Sequence, residues 1–182
     1  MLGLSESTLY YTNLDKYLIT YPEWYSTRMI VGYWLFKTEP ETFSIDTLKQ
    51  QKVSCWEGVR NYQARNMMRD QVKLGDQIFI YHSSCKNVGV AGIATVVKEA
   101  YPDHFQFDPT CPYFDPKSDP ENPRWVMVDV GYQRHLRLVS LKRMKANPLL
   151  EEMPLVKRGN RLSIMPVTEA QWQAILQMTG QL

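Results

Sequence analysis

The stretch WEGVRNYQARN, residues 56–66, places a tryptophan, an acidic residue and a glycine directly before a helical pattern. Residues 60–72 suit a helix because Ala64, Met68 and Val72 form one apolar row at i, i+4 spacing. A helix N-terminus gathers unsatisfied N–H groups and partial positive charge, so it can receive a ligand carbonyl or phosphate. The start of this helix is therefore a candidate wall of a binding site.

Two interpretations of Trp56 stay open at this point. In the first, Trp56 is a core side chain and Arg60 forms an ion pair with Glu57. In the second, Trp56 stacks against a ligand, and Arg60 or Asn61 donates hydrogen bonds to it. Neighbouring segments bear on the choice between them.

Two predicted strands end close to polar residues. Residues 33–37 (YWLFK) and residues 77–82 (QIFIYH) are rich in aromatic and β-branched side chains. Strand ends and a helix start are where a small sheet offers a concave site with a polar rim. Aromatic faces there can stack a base, at about 1–3 kcal/mol each, while polar groups read its edge. Each residue also has an ordinary alternative, such as a core Trp34 or a surface pair of Lys37 and Glu39.

The remaining elements indicate an α+β domain. Ser44 can cap a short helix, Ser140 a basic one that stops at residues 147–148, and Thr168 forms a capping box with Gln171 before the last helix. Further strands are predicted at residues 88–100, with a bend or bulge, and at residues 125–132, and the interval 102–123 is a loop with six prolines. We therefore predict that the strands form a small, strongly bent sheet or an open barrel, with short helices at its periphery.

Composition and charge fit a soluble globular protein. The 182 residues are 44% hydrophobic and 22% charged, with a net charge of +2. Residues 99–129 carry seven acidic and two basic side chains, whereas residues 132–163 carry eight basic and two acidic ones. The chain can thus present a basic face and an acidic face, or simply two solvated surfaces. The longest apolar stretch, residues 88–97, is shorter than the roughly 20 residues of a membrane helix.

Cysteine and histidine spacing favours a reducing setting without a structural metal. Cys55, Cys85 and Cys111 are odd in number and far apart, and the histidines lack helical ligand spacing. Residues 1–28 lack the basic start and apolar core of a signal peptide. We expect an appendage or the product of an upstream start codon there, with a short packed helix or hairpin as the alternative, and the domain itself over residues 30–182.

Six segments, in order, resemble the EVE domain family, which includes the thymocyte nuclear protein group and bacterial counterparts. They are YWLFKTEP (33–40), CWEGVRNYQARN (55–66), YHSSC (81–85), KEAYPDHFQFD (98–108), WVMVDV (125–130) and RLSIMPVT (161–168). The resemblance implies a PUA-like mixed β-barrel, no cofactor, and a pocket for an extruded base of the 5-substituted cytosine class. Combined with the strand-end argument, the expected pocket residues are Trp34, Lys37, Thr38, Glu39, Trp56, Val59, Arg60, Asn61, Tyr81, His82, Ser83, Arg161 and Ser163.

Three functions are compatible with these residues. The first is a non-catalytic module that binds DNA or RNA carrying a modified base, with phosphates held by Arg65, Arg69, Lys142, Arg143 and Arg158. The second is a hydrolase-type enzyme on a modified nucleoside or small amide, with Lys37, Glu39, Glu57 and His82 as acid–base groups. The third is an interaction module that uses the proline-rich loop. We expect a monomer without a membrane partner, cytoplasmic in a bacterium and nuclear in a eukaryote.

Overall fold

The computed structural model describes residues 31–180, so the expectation for residues 1–28 lies outside the described residues. Within that range there are six β-strands, four α-helices and three short 3-10 turns. The strands are β1 (Tyr33–Thr38), β2 (Val53–Trp56), β3 (Gln77–His82), β4 (Gly89–Pro102), β5 (Val126–Ser140) and β6 (Ile164–Val167). The helices are α1 (Ile45–Gln51), α2 (Tyr62–Asp70), α3 (Leu141–Lys145) and α4 (Glu169–Thr179), and the 3-10 turns are His104–Phe107, Pro148–Leu150 and Pro154–Val156.

The strands form one mixed sheet that curls into a barrel. Their order is β2-β5-β4-β3-β1-β6, with β1 and β3 parallel and every other pair antiparallel. Three strands separate β1 from β2 in this order, yet the rings of Phe36 and Trp56 lie 5.2 Å apart. The sheet must bend back on itself to bring these strands together, as the barrel prediction requires.

Alternation along the central strands divides the core into two layers. In β3, Ile78 and Ile80 belong to the cluster inside the barrel, whereas Phe79 and Tyr81 belong to the cluster on the outer face. Successive strand side chains point to opposite faces, so both faces of β3 are buried. The inner layer is covered by α1 and α2, and the outer layer packs against α4, where the ring of Trp172 stacks on Phe79 with centroids 3.8 Å apart.

Helix signals in the sequence are confirmed by the caps. Ser44, Asn61, Ser140 and Thr168 each accept a backbone N–H from the first turn of α1, α2, α3 and α4, respectively. Thr168 and Gln171 form the expected capping box, and Gly180 ends α4 in the left-handed conformation. Helix α2 begins at Tyr62, two residues after the predicted start.

Strand boundaries differ from the prediction at three places. Strand β5 continues to Ser140, eight residues past the predicted end, because it pairs with β4 along the whole barrel. Strands β2 and β6, each of four residues, were not predicted. The bend expected in β4 is present as register shifts, one of them between Val90 and Gly92. No helix between residues 31 and 180 is long and apolar enough to cross a membrane.

Candidate functional site

An open cavity of about 370 Å³ lies where the ends of β1 and β2 meet the segment that leads into β6. Its position follows from the barrel closure, since β2 and β6 are the outermost strands of the sheet order. Two backbone hydrogen bonds fix the rim: Lys37 N–H donates to the Ser163 carbonyl, and Ser83 N–H donates to the Thr38 carbonyl, both at 2.8 Å. Eight of the expected pocket residues line the cavity, namely Lys37, Thr38, Glu39, Trp56, Val59, Ser83, Arg161 and Ser163.

Trp34 and Tyr81, two of the expected pocket aromatics, lie away from the cavity. Trp34 is near the opposite end of β1, where its indole N–H donates to the buried carboxylate of Asp76 at 2.8 Å. Tyr81 points to the outer face of the sheet and is 2% exposed. Burial raises the pKa of its hydroxyl to about 12. Trp34 is directed away from the cavity by its position along β1, and Tyr81 by strand alternation, so both side chains pack in the core.

Three polar residues expected in the pocket do not line it, and their side chains instead bond to other parts of the protein. His82 does not line the cavity, and its Nε2 accepts the backbone N–H of Ile45 at 3.1 Å. Asn61 caps α2 by accepting the N–H of Ala64. The guanidinium of Arg60 donates to Asp103 at 2.7 Å and to the Tyr113 carbonyl. The ion pair expected between Arg60 and Glu57 is thus replaced by one with Asp103.

Six lining residues were not among the expected base-binding residues, although Glu57 was named as an acid–base candidate of the enzyme alternative: Thr42, Phe43, Cys55, Glu57, Gly58 and Tyr113. Phe43 meets Trp56 edge to face, with centroids 5.7 Å apart. Glu57 follows β2 directly. Had the sequence been interpreted as a strand ending at Trp56, the Glu57 carboxylate would have been predicted at the rim of the cavity. Tyr113 comes from the proline-rich segment, residues 102–123, and carries no local signal.

Tyr113 forms a wall of the cavity through contacts distant in sequence. Its ring packs so closely on Gly58 that a Cβ there would lie 2.5 Å from a ring carbon. Gly58 has φ +75°, a conformation that favours glycine. Asp103, whose side chain is fully buried, also accepts the Gly58 N–H at 3.0 Å. Gly58 therefore contacts both the Tyr113 ring and the Asp103 carboxylate, which forms the ion pair with Arg60.

The cavity combines cationic, anionic and aromatic groups. Burial lowers the pKa of the Lys37 ammonium. Burial, followed by the nearby Glu57 carboxylate, raises the pKa of the Cys55 thiol to about 11, and the thiol lies 3.4 Å from a Glu57 oxygen. A half-buried carboxylate beside aromatic edges can accept hydrogen bonds from a flat ligand, and Lys37 and Arg161 can donate them.

Three of the four acid–base candidates of the enzyme hypothesis, Lys37, Glu39 and Glu57, line this cavity, and the fourth, His82, does not. Cys55 lines it, but a thiol with a raised pKa is a poor nucleophile at neutral pH. His82 lies outside the lining, and its Nε2 is occupied by a backbone N–H. Residues 31–180 contain no cluster of three or more histidine, cysteine or carboxylate side chains that could hold a metal ion.

The side chains expected to hold phosphate lie in three places. Arg65 and Arg69 lie on α2 and line a second cavity of about 340 Å³. Lys142 and Arg143 lie on α3, and the Arg143 guanidinium donates to the Met178 carbonyl. Arg158 is exposed in the segment between the last 3-10 turn and β6.

Comparisons with known proteins agree on one family. The EVE domain profile matches residues 32–178. Human thymocyte nuclear protein 1 is 43% identical over 167 residues, spanning 81% of this chain and 73% of the human protein. A crystal structure of a Pseudomonas syringae protein has a TM-score of 0.79 at 46% identity, covering 81% of this chain and 99% of the other. The crystal structure of human THYN1 protein in complex with 5-methylcytosine-containing DNA has a TM-score of 0.78 at 42% identity, covering 83% of this chain and 99% of the other.

Proposed function

Because the chain belongs to the EVE domain family, we propose that it captures a modified base of DNA, of the 5-substituted cytosine class, in the cavity without reacting with it. The crystal structure of the human relative in complex with 5-methylcytosine-containing DNA supports this ligand class. The observation that carries the proposal is the lining itself, which combines the aromatic side chains of Phe43, Trp56 and Tyr113 with the Glu57 carboxylate. A volume of about 370 Å³ is within the usual range for small-ligand pockets.

Recognition of cytosine follows from the polar groups of the lining. Glutamate accepts a hydrogen bond from the exocyclic amine of cytosine, and Glu57 is the half-buried carboxylate of the cavity. Lys37 and Arg161 supply donors for the ring carbonyl oxygen and nitrogen, which are acceptors. A 5-methyl group gains from apolar contact, as a thymine methyl does with phenylalanine, and Phe43 and Tyr113 offer such surface.

The free-energy cost of extruding the base must be offset by the contacts that the base makes in the cavity. Taking a base out of the duplex costs a few kcal/mol. Contacts with aromatic rings return about 1–3 kcal/mol per base, and the edge hydrogen bonds add discrimination. Trp56 contributes a cavity edge and also core packing, since it is 7% exposed and contacts Phe36 and Phe43.

The test compares Glu57→Gln with wild type on two matched duplexes, one with 5-methylcytosine and one with cytosine. The glutamine amide presents one neutral acceptor oxygen instead of the two oxygens of a charged carboxylate, so we expect affinity for the modified duplex to fall by about tenfold, which is about 1.4 kcal/mol. Fluorescence anisotropy gives the dissociation constants. Glu41→Gln removes the same charge at an exposed position outside the lining and should leave binding unchanged. Equal losses in both variants would refute the assignment of Glu57.

A further inference from the structure

The second cavity lies between α2 and the end of the proline-rich segment, and it shares no lining residue with the first. Its lining contains four cationic side chains, Arg65, Arg69, Lys117 and Arg124, and a single carboxylate, Asp119. Tyr62, half exposed, adds an aromatic rim. We call this cavity the basic groove. Such a lining attracts an anion that is extended rather than small, since the charges come from two separate segments.

Most of the charge in the basic groove remains available to a ligand. Arg65 donates to the Arg124 carbonyl at 2.6 Å and to the Asn66 side-chain oxygen at 2.8 Å, which are neutral acceptors. Arg69 pairs with Asp70 at 2.7 Å, but both side chains are about half exposed. The Arg124 guanidinium is 3.7 Å from Asp115. The Arg69–Asp70 pair is exposed to solvent and the Arg124–Asp115 pair is long, so a phosphate can compete for these guanidinium groups.

A ladder of stacked side chains links the basic groove to the main cavity. The Arg60 guanidinium lies 5.5 Å from the Tyr113 ring, which lines the main cavity, and 5.5 Å from the Trp125 ring. Trp125 in turn stacks on Tyr62 with centroids 4.9 Å apart, and Arg65 lies 5.1 Å from Tyr62. These contacts form a continuous path of packed side chains from the Tyr113 wall of the main cavity to Tyr62 and Arg65 of the basic groove.

We propose that the basic groove binds the phosphodiester backbone of the nucleic-acid strand that flanks the captured base. This inference rests on the proposed function and extends it from one base to the adjoining nucleotides. Phosphate contacts fix the register of a protein on the duplex, while base contacts specify the sequence. The ladder argues for nucleic acid over another polyanion, because it ties the phosphate site to the base cavity. Arg65, Arg69, Lys117 and Arg124 are the phosphate ligands.

The experiment measures how binding of the full chain to the two matched duplexes depends on salt. Each phosphate contact contributes about 0.9 to the slope of log K against log salt. The double variant Arg69→Gln, Lys117→Gln should lower the magnitude of that slope by about 2 and leave the preference for the modified duplex unchanged. Both side chains are exposed, so the fold should survive their loss. The double variant Lys49→Gln, Lys145→Gln removes the same net charge from exposed positions on α1 and α3.

The results separate the basic groove from the base cavity. A flatter slope in the groove variant than in the control variant supports the inference. Equal slopes in the two variants overturn it, because the effect would then come from net charge alone. If the wild type showed no preference between the duplexes while the groove variant still flattened the slope, the base-capture proposal would fail and the phosphate site would stand.

Discussion

At the scale of single residues, Gly58 is the position that sets the shape of the cavity. Its φ of +75° costs any other residue backbone strain, and the Tyr113 ring occupies the space of a side chain. We expect Gly58→Ala to lower the free energy of unfolding by more than the roughly 1–2 kcal/mol of the left-handed conformation. Gly159→Ala is the matched control, since Gly159 has φ +81° with nothing within 4 Å of the added carbon. Denaturant unfolding measures both, and equal losses would contradict the contact with Tyr113.

His82 is the residue through which pH should act on stability. Burial lowers its pKa from the ordinary value of 6.5, nearby Asp46 opposes that shift, and His135 adds to it. A histidine with a lower pKa in the folded state binds its proton more readily when unfolded, so stability is lost as pH falls below the unfolded value. We expect the free energy of unfolding to fall between about pH 7 and about pH 5.5. His82→Gln should reduce this fall, whereas His104→Gln, at an exposed position, should retain it.

The sequence alone predicts the positions of some cavity residues better than those of others. Trp56 was left between a core role and a ligand wall, and in the structure it is buried among Phe36 and Phe43 while also lining the cavity. Trp34 and Tyr81 were misplaced because aromatic residues near strand ends do not reveal which end or which face they occupy. Tyr113 could not be found, because its place depends on contacts with Gly58 and Arg60 far along the chain.

At the scale of elements, the proline-rich segment is a fixed cover. Gln106, fully buried, donates to the Asp103 and Trp125 carbonyls and accepts the N–H groups of Arg124 and Trp125. The buried Asp103 carboxylate joins this segment to the residues that precede α2 by accepting from Arg60 and from the Gly58 N–H. These bonds explain how a segment with almost no regular structure can supply a wall to each cavity.

Asp103→Asn tests that attachment. Loss of the charge weakens the hydrogen bonds from Gly58 and Arg60. We therefore expect the free energy of unfolding to fall by about 2 kcal/mol or more, and the amides of residues 104–115 to exchange faster. Hydrogen–deuterium exchange measures the second effect. Asp108→Asn, whose partners are within two residues, should change exchange only locally. Exchange in residues 104–115 that matched wild type would show that Asp103 does not hold the segment.

The elements found from the sequence are those with long patterns or explicit caps. Strand β3 and the capping box of α4 were predicted at the observed positions, because alternation and the Thr168–Gln171 pair are local signals. Strands β2 and β6 were missed, since four residues are too few to show a period. Their positions follow from pairing with β5 and β1.

At the scale of the whole molecule, barrel closure creates the site. The missed strands β2 and β6 are the outermost strands of the sheet, and the cavity forms where their ends approach β1. A sheet left open at this point would separate Glu57 from Lys37 and Arg161. The function we propose therefore depends on closure, and the residues at the rim come from segments more than a hundred positions apart.

The most direct test of the central claim is nuclear Overhauser contact with a labelled base. A duplex is prepared with a single 13C-methyl 5-methylcytosine and bound to the full chain, and filtered spectra report the protons near that methyl. We expect contacts from the methyl to the aromatic protons of Phe43, Trp56 or Tyr113, because these rings line the cavity. Contacts only to neighbouring bases of the duplex, under conditions where the complex is saturated, would contradict capture of the base.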